Sequence, residues 1–127
     1  MDCNSITSES IYSLGIQLLN ILEQVHSAGI IFNDLKLDNL LLDFQTDLKQ
    51  LSKVNSDIFD SANINIIDFG FASPYLEDDG NTHIKKKKVD LFQGNAMFSS
   101  MNQLKFHRTS RRDDIISVFY ILIYLFK

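Results

Sequence analysis

Apolar residues recur at Ile11, Leu14, Leu18, Leu22 and Val25, and spacings of three and four line one face of an α-helix. Thr7 or Ser8 offers a side-chain oxygen to cap the start, and Gly29 supplies a common stop. The pattern predicts a helix over Glu9–Ala28. Ile16, Leu19 and Ile21 widen the apolar face beyond one stripe, which predicts packing on two sides.

Beyond Gly29 the period changes. Leu40–Leu42 and Ile64–Ile67 are short apolar runs, the second rich in β-branched residues, and predict two strands paired as a hairpin. Residues 43–62 between them are mostly polar and long for a loop without its own structure. We read them as an insertion at the hairpin tip with one helical turn over Leu48–Val54. From Asp68 to Ser100 the chain is irregular, with its only proline, Pro74, the acids Glu77, Asp78 and Asp79, and the run Lys85, Lys86, Lys87 and Lys88. Long irregular segments of this kind commonly carry function.

Ser110-Arg-Arg-Asp-Asp114 then leads into Ile115–Phe126, twelve residues broken only by Ser117. A bilayer crossing needs about 20 apolar residues, so the run predicts a helix buried on most sides of a core, with no membrane partner. The sequence stops at Lys127, directly after this helix. That arrangement carries the expectation of a piece of something larger, or of a partner or second copy covering Ile115–Phe126.

Residues Ile30–Leu42 stand apart, because Asp34, Lys36, Asp38 and Asn39 lie inside an otherwise apolar run. Polar groups in such surroundings need partners or a task. Taken singly, Asp34 capping a turn and Asn39 satisfying its backbone would account for both residues.

Composition narrows the classes. The 127 residues make one domain at most, and 45% hydrophobic with 22% charged residues implies a packed core. Twelve Lys and Arg against sixteen Asp and Glu give a net charge of −4, which argues against a nucleic-acid partner, Lys85–Lys88 being the local exception. Cys3 alone excludes an internal disulfide or a cysteine-rich zinc site. The first ten residues have neither the basic flank nor the apolar centre of a signal peptide, so an intracellular protein, cytoplasmic or nuclear, is expected. His26, His83 and His107 lack metal-ligand spacing and are assigned surface or packing roles.

Four motifs in order resemble a protein kinase of the casein kinase 1 family: Asp34-Leu-Lys-Leu-Asp-Asn39, Asp68-Phe69-Gly70, Gly94-Asn-Ala-Met-Phe-Ser-Ser-Met-Asn102 and Ser110-Arg-Arg-Asp-Asp114. The likeness runs from Ile11 to Tyr124. It implies an α+β fold, a partial kinase C-terminal lobe that is mainly helical with a small β-hairpin and a long activation segment. The function implied is serine/threonine phosphorylation with ATP and Mg²⁺ as cofactors.

On this likeness Asp34 is the carboxylate that takes the substrate hydroxyl's proton, and Lys36 a cation near the transferred phosphate. Asn39 and Asp68 would hold Mg²⁺ through hard oxygen atoms. Phe32, Phe69, Gly70 and Asp114 would be structural supports, Phe32 beside Phe69, Gly70 letting the backbone turn sharply, and Asp114 bonding the catalytic-loop backbone. Lys85–Lys88 is either a solvated face or a contact for acidic or phosphorylated protein substrates.

Three departures stand out. Phe32-Asn33-Asp34 replaces the family's His-Arg-Asp, and Asn95 replaces a threonine expected after Gly94. Asn39 and Asp68 lie 29 positions apart, longer than usual, though loop entropy grows slowly with length. The glycine-rich loop, strand lysine and N-terminal lobe have no counterpart in these 127 residues, so the isolated chain is expected to be inactive. The alternatives are a non-catalytic pseudokinase or interaction module, and a degenerate gene remnant.

Overall fold

The computed structural model describes residues 6–44 and 62–127. Helix α1, Ser8–Ser27, begins where the Thr7 hydroxyl oxygen accepts the Ser10 amide at 3.2 Å. It ends at Gly29, whose φ of 81° turns the chain away. Ile11, Leu14, Leu18 and Leu22 are at most 2% exposed, whereas Ile16 and Leu19 are exposed. The helix therefore buries one stripe and not two sides, the Leu14–Leu18–Leu22 line being the part of it that joins the core.

Strand β1, Ile30–Ile31, pairs antiparallel with β4, Ser73–Pro74. Two residues are too few to show alternation, so no periodicity marks this pair. Strands β2, Leu40–Phe44, and β3, Ala62–Ile66, form the hairpin, with Leu40 opposite Ile66 and Leu42 opposite Ile64. The ladder takes in Asp43, Phe44 and Ala62, so the hairpin extends into the stretch expected to be insertion. The helical turn expected over Leu48–Val54 lies outside the described residues. Gln17 of α1 holds the other edge of β3: its Oε1 accepts the Ile64 amide at 2.9 Å and its Nε2 donates to the Ala62 carbonyl at 3.2 Å.

Helix α2, Met101–Leu104, is capped by Ser100, whose hydroxyl oxygen accepts the Gln103 amide at 3.1 Å. Helix α3, Arg111–Leu125, opens with the Asp113 carboxylate accepting the Ser110 amide at 2.7 Å. Val118 and Ile121 are at most 1% exposed, but Phe119, Tyr120, Ile123 and Tyr124 stand 40–57% exposed. The expectation of burial on most sides is thus corrected: α3 buries a single face, against α1 and the loop that follows β1. Among the described residues no helix is long and apolar enough to cross a membrane.

One core joins these elements, with Leu14, Leu18 and Leu22 of α1, Phe32 and Leu35, Ile64 of β3, Phe98, and Val118 and Ile121 of α3. Phe32 and Leu35 are both 0% exposed. The two residues between them, Asn33 and Asp34, are consequently fixed at both ends by apolar anchors, so the core itself sets where Asp34 sits.

Candidate active site

The backbone of the loop is held from α3. Asp114, 1% exposed, accepts the amides of Phe32 and Asn33, each at 2.8 Å. Its Oδ2 also lies 2.8 Å from His26 Nε2. His26 is itself buried in the last turn of α1, so of the surface and packing roles expected for the histidines it takes the packing one, with a polar partner. The signal was available: His26 falls four residues after Leu22 on the buried stripe, and an imidazole there needs a polar partner.

Asn33 adopts a φ of 70°, a conformation asparagine tolerates better than most residues. Its Nδ2 donates to the Phe71 carbonyl at 2.7 Å and to the Ser73 hydroxyl at 2.8 Å, and its Oδ1 accepts from the Thr109 hydroxyl. Where the resemblance expects an arginine's charge, a neutral amide ties the loop to the segment after Gly70.

Asp34 is 2% exposed and its carboxylate is surrounded by donors. Oδ2 lies 3.1 Å from Lys36 Nζ and accepts from Asn39 Nδ2 at 3.1 Å, while Oδ1 accepts from Asn95 Nδ2 at 3.1 Å. Asn39, in the 3-10 turn Leu37–Asn39, also donates to the Asp34 carbonyl at 2.9 Å. With its nitrogen committed to Asp34, the amide oxygen is the ligand atom Asn39 has to offer. Asp38 is exposed and takes no part.

The end of β3 is brought alongside by the Ile67 amide, which donates to the Asn39 carbonyl at 3.0 Å. Asp68 follows with a φ of 66° and an exposed carboxylate whose Oδ1 accepts the Gly70 amide at 3.1 Å. Gly70 lies in a tight turn, closed by the Ala72 amide donating to the Phe69 carbonyl at 3.0 Å, and a side chain on it would meet Asp68 Oδ1 at 3.0 Å. Phe69 sets its ring edge-on to Phe32, centroids 5.0 Å apart.

Asn39 and Asp68 provide two hard oxygen donors on adjoining backbone, and no group of three or more His, Cys, Asp or Glu suited to a metal occurs among the described residues. That donor set fits Mg²⁺, which is commonly held by one or two protein oxygens together with substrate phosphates.

The activation segment closes against the loop at Gly94. Its φ is 131°, and a Cβ there would lie 2.4 Å from Gln103 Nε2 and 2.7 Å from the Asn33 carbonyl oxygen. Gln103 Nε2 donates to that same carbonyl at 2.8 Å. Only glycine leaves room for the contact.

Lys85, Lys86, Lys87 and Lys88 are exposed. Their backbone is tied down, since the Arg108 amide donates to the Lys87 carbonyl at 2.8 Å, but none of the ion pairs among the described residues involves them. A cleft of about 530 Å³ opens beside Asn33, lined in part by Glu77, Asp78, Asp90, Phe92 and Arg108.

Residues 2–127 match the protein kinase domain family. It belongs to the protein kinase family. Within that family the kinase segment is 32% identical over 121 residues to a probable casein kinase I homolog of Encephalitozoon cuniculi, covering 95% of this chain and 33% of that protein. It is 27% identical over 124 residues to a casein kinase 1-like protein of Oryza sativa subsp. japonica, covering 97% of this chain and 16% of that protein. The kinase chain thus spans a third or less of the length of these two relatives.

Proposed function

We propose that this chain carries the catalytic half of a serine/threonine protein kinase of casein kinase 1 type, transferring phosphate from ATP to protein hydroxyls. The observation that carries the reading is the Asp34 carboxylate, buried yet met by Lys36, Asn39 and Asn95 at 3.1 Å each. A carboxylate so held can face an incoming hydroxyl in one orientation, and phosphoryl transfer depends chiefly on positioning and charge neutralisation.

In this reading Asp34 accepts the proton of the substrate serine or threonine hydroxyl, and Lys36 neutralises charge on the transferred group. Asn39 and Asp68 hold Mg²⁺ by their side-chain oxygens. ATP, when bound with the metal, supplies the electrophilic phosphoryl group. Asp114 and His26 act through the backbone of Phe32 and Asn33, keeping Asp34 where the core sets it. Lys85–Lys88, exposed on the activation segment, is the surface an acidic or phosphorylated substrate would meet.

These 127 residues contain no counterpart of the glycine-rich loop and strand lysine that meet the nucleotide's phosphates, so alone the chain is inactive in this account. The test is transfer of labelled phosphate from ATP and Mg²⁺ to an acidic serine peptide. No turnover by the isolated chain is expected; turnover abolished by Asp34→Ala would overturn the inactivity and uphold the base.

A second reading, an interaction module, is favoured by the exposed side of α3. Phe119, Tyr120, Ile123 and Tyr124 form an apolar face that a partner or second copy would cover. Sedimentation of the isolated chain as a monomer across micromolar concentrations would count against self-association.

A further inference from the structure

Tyr12, Ile16 and Leu19 on α1, with Phe119 and Ile123 on α3 and Phe126 at its end, stand 42–62% exposed. The helices that carry them run antiparallel and close together. The Tyr12 and Phe126 rings meet at one end with centroids 5.6 Å apart, and His26 meets Asp114 at the other. Between these points Gly15 lies against Leu122, where an added Cβ would stand 3.0 Å from the leucine Cδ1.

That contact fixes how the two exposed sets relate. At roughly 100° per residue from Gly15 and from Leu122, the core-facing Leu14 and Leu18 fall to one side, as do Val118 and Ile121, and the six exposed residues fall to the other. They form one continuous apolar face across both helices, opposite the core. With each side chain about half bared the face offers roughly 500 Å², and two such faces together reach roughly the 1,000 Å² at which specific association begins.

The charges on this face are sorted by helix. Glu9 and Glu23 are exposed on α1, while Arg112, with a side chain 60% exposed, opens the same face on α3. A two-fold axis along the helices lays α1 of each copy over α3 of the other and brings Glu23 within about one helical turn of the other copy's Arg112, twice. A two-fold axis across the helices lays α1 on α1 instead and sets Glu9 against Glu23, like against like.

We infer that this face docks a second copy of the chain, as a symmetric pair with α1 of each copy over α3 of the other. Opposite charges then meet at the rim of an apolar centre. The inference rests on the interaction-module reading, which it deepens by naming the occupant and its orientation, and it is independent of phosphoryl transfer.

Sedimentation velocity of the 127-residue chain across micromolar concentrations reads the association. The wild type is expected to be a dimer. Ile16→Asp and Ile123→Asp, both at exposed positions, each weaken it by ~100-fold or more, since a charge would be buried at the centre, while the circular dichroism spectrum and urea midpoint stay unchanged. Glu23→Lys and Arg112→Glu each weaken it by ~10-fold. An equimolar mixture of these two variants regains wild-type affinity, because opposite charges face one another again only between unlike copies. Charge contacts inside one chain cannot produce that recovery.

A wild-type monomer would overturn the inference while leaving the interaction-module reading to a different protein. A dimer indifferent to both aspartates is held elsewhere, and would overturn the inference and that reading of the face together. Association beyond a dimer would overturn the closed two-fold pair. A dimer that tightens on Glu23→Lys, or whose two charge variants fail to complement, would overturn the proposed orientation.

Discussion

The loop from Ile31 to Asn39 and the segment from Glu77 to Lys88 are both rich in polar groups, yet they use them in opposite ways. In the loop, Asn33, Asp34 and Asn39 are at most 5% exposed, and among the described residues no buried side-chain nitrogen or oxygen lacks a partner. Along the segment, Glu77, Asp78, Asp79 and all four lysines are exposed. Buried polar groups are costly unless bonded, so each bond in the loop constrains position. Exposed charges are solvated and screened, and hold little in place beyond their own turn. In the proposed function, chemistry needing fixed geometry falls to the first region and contact with a passing substrate to the second.

The contrast breaks most visibly at Asp114. Asp114→Ala would strand the buried amides of Phe32 and Asn33 and the His26 ring, at a cost of about 3 kcal/mol in urea-melt stability. A loss near zero would mean that the loop is not hung from α3. Next is Gly94→Ala, where the added methyl meets Gln103 and the Asn33 carbonyl. We expect a loss of about 2 kcal/mol by the same melt, from strain at a positive φ together with the clash.

Replacing Lys85–Lys88 by serine sharpens the other side. Stability should change by less than about 0.5 kcal/mol, while the KM for an acidic peptide rises in any active form. The smallest effect is at the segment's tip. Asp79 is held below the ordinary carboxylate range by hydrogen bonds from the Thr82 hydroxyl, then from the Thr82 and Asn81 amides. Because the folded-state value is depressed, the tip is stabilised above the ordinary carboxylate range and loosens only as pH falls through the depressed value. The Asn81 and Thr82 amide resonances should move together over that acid range and stay still in Asp79→Asn.

The same divide explains what could be read from the chain. Periodicity located α1 and its stripe, because Leu14, Leu18 and Leu22 are neighbours on one helix face. The two hairpin strands were legible from two short apolar runs, the second rich in β-branched residues, and motif order brought Asp34, Asn39 and Asp68 into view. What escaped were bonds across long stretches of sequence: Gln17 to β3, His26 to Asp114, Asn95 to Asp34. No local period encodes a partner 47, 88 or 61 residues away. Burial of α3 was overread for a related reason, since an unbroken apolar run does not say which side has a neighbour.

The central claim is that this chain's loop is a working half of a phosphoryl-transfer site. It is tested most directly by replacing the matching 121 residues of the Encephalitozoon cuniculi relative with this chain and assaying phosphate transfer from ATP and Mg²⁺. The account predicts a folded chimera that phosphorylates a serine peptide and loses activity by at least ~100-fold on Asp34→Asn. A folded chimera that binds ATP yet transfers nothing, beside an active parent, would contradict it.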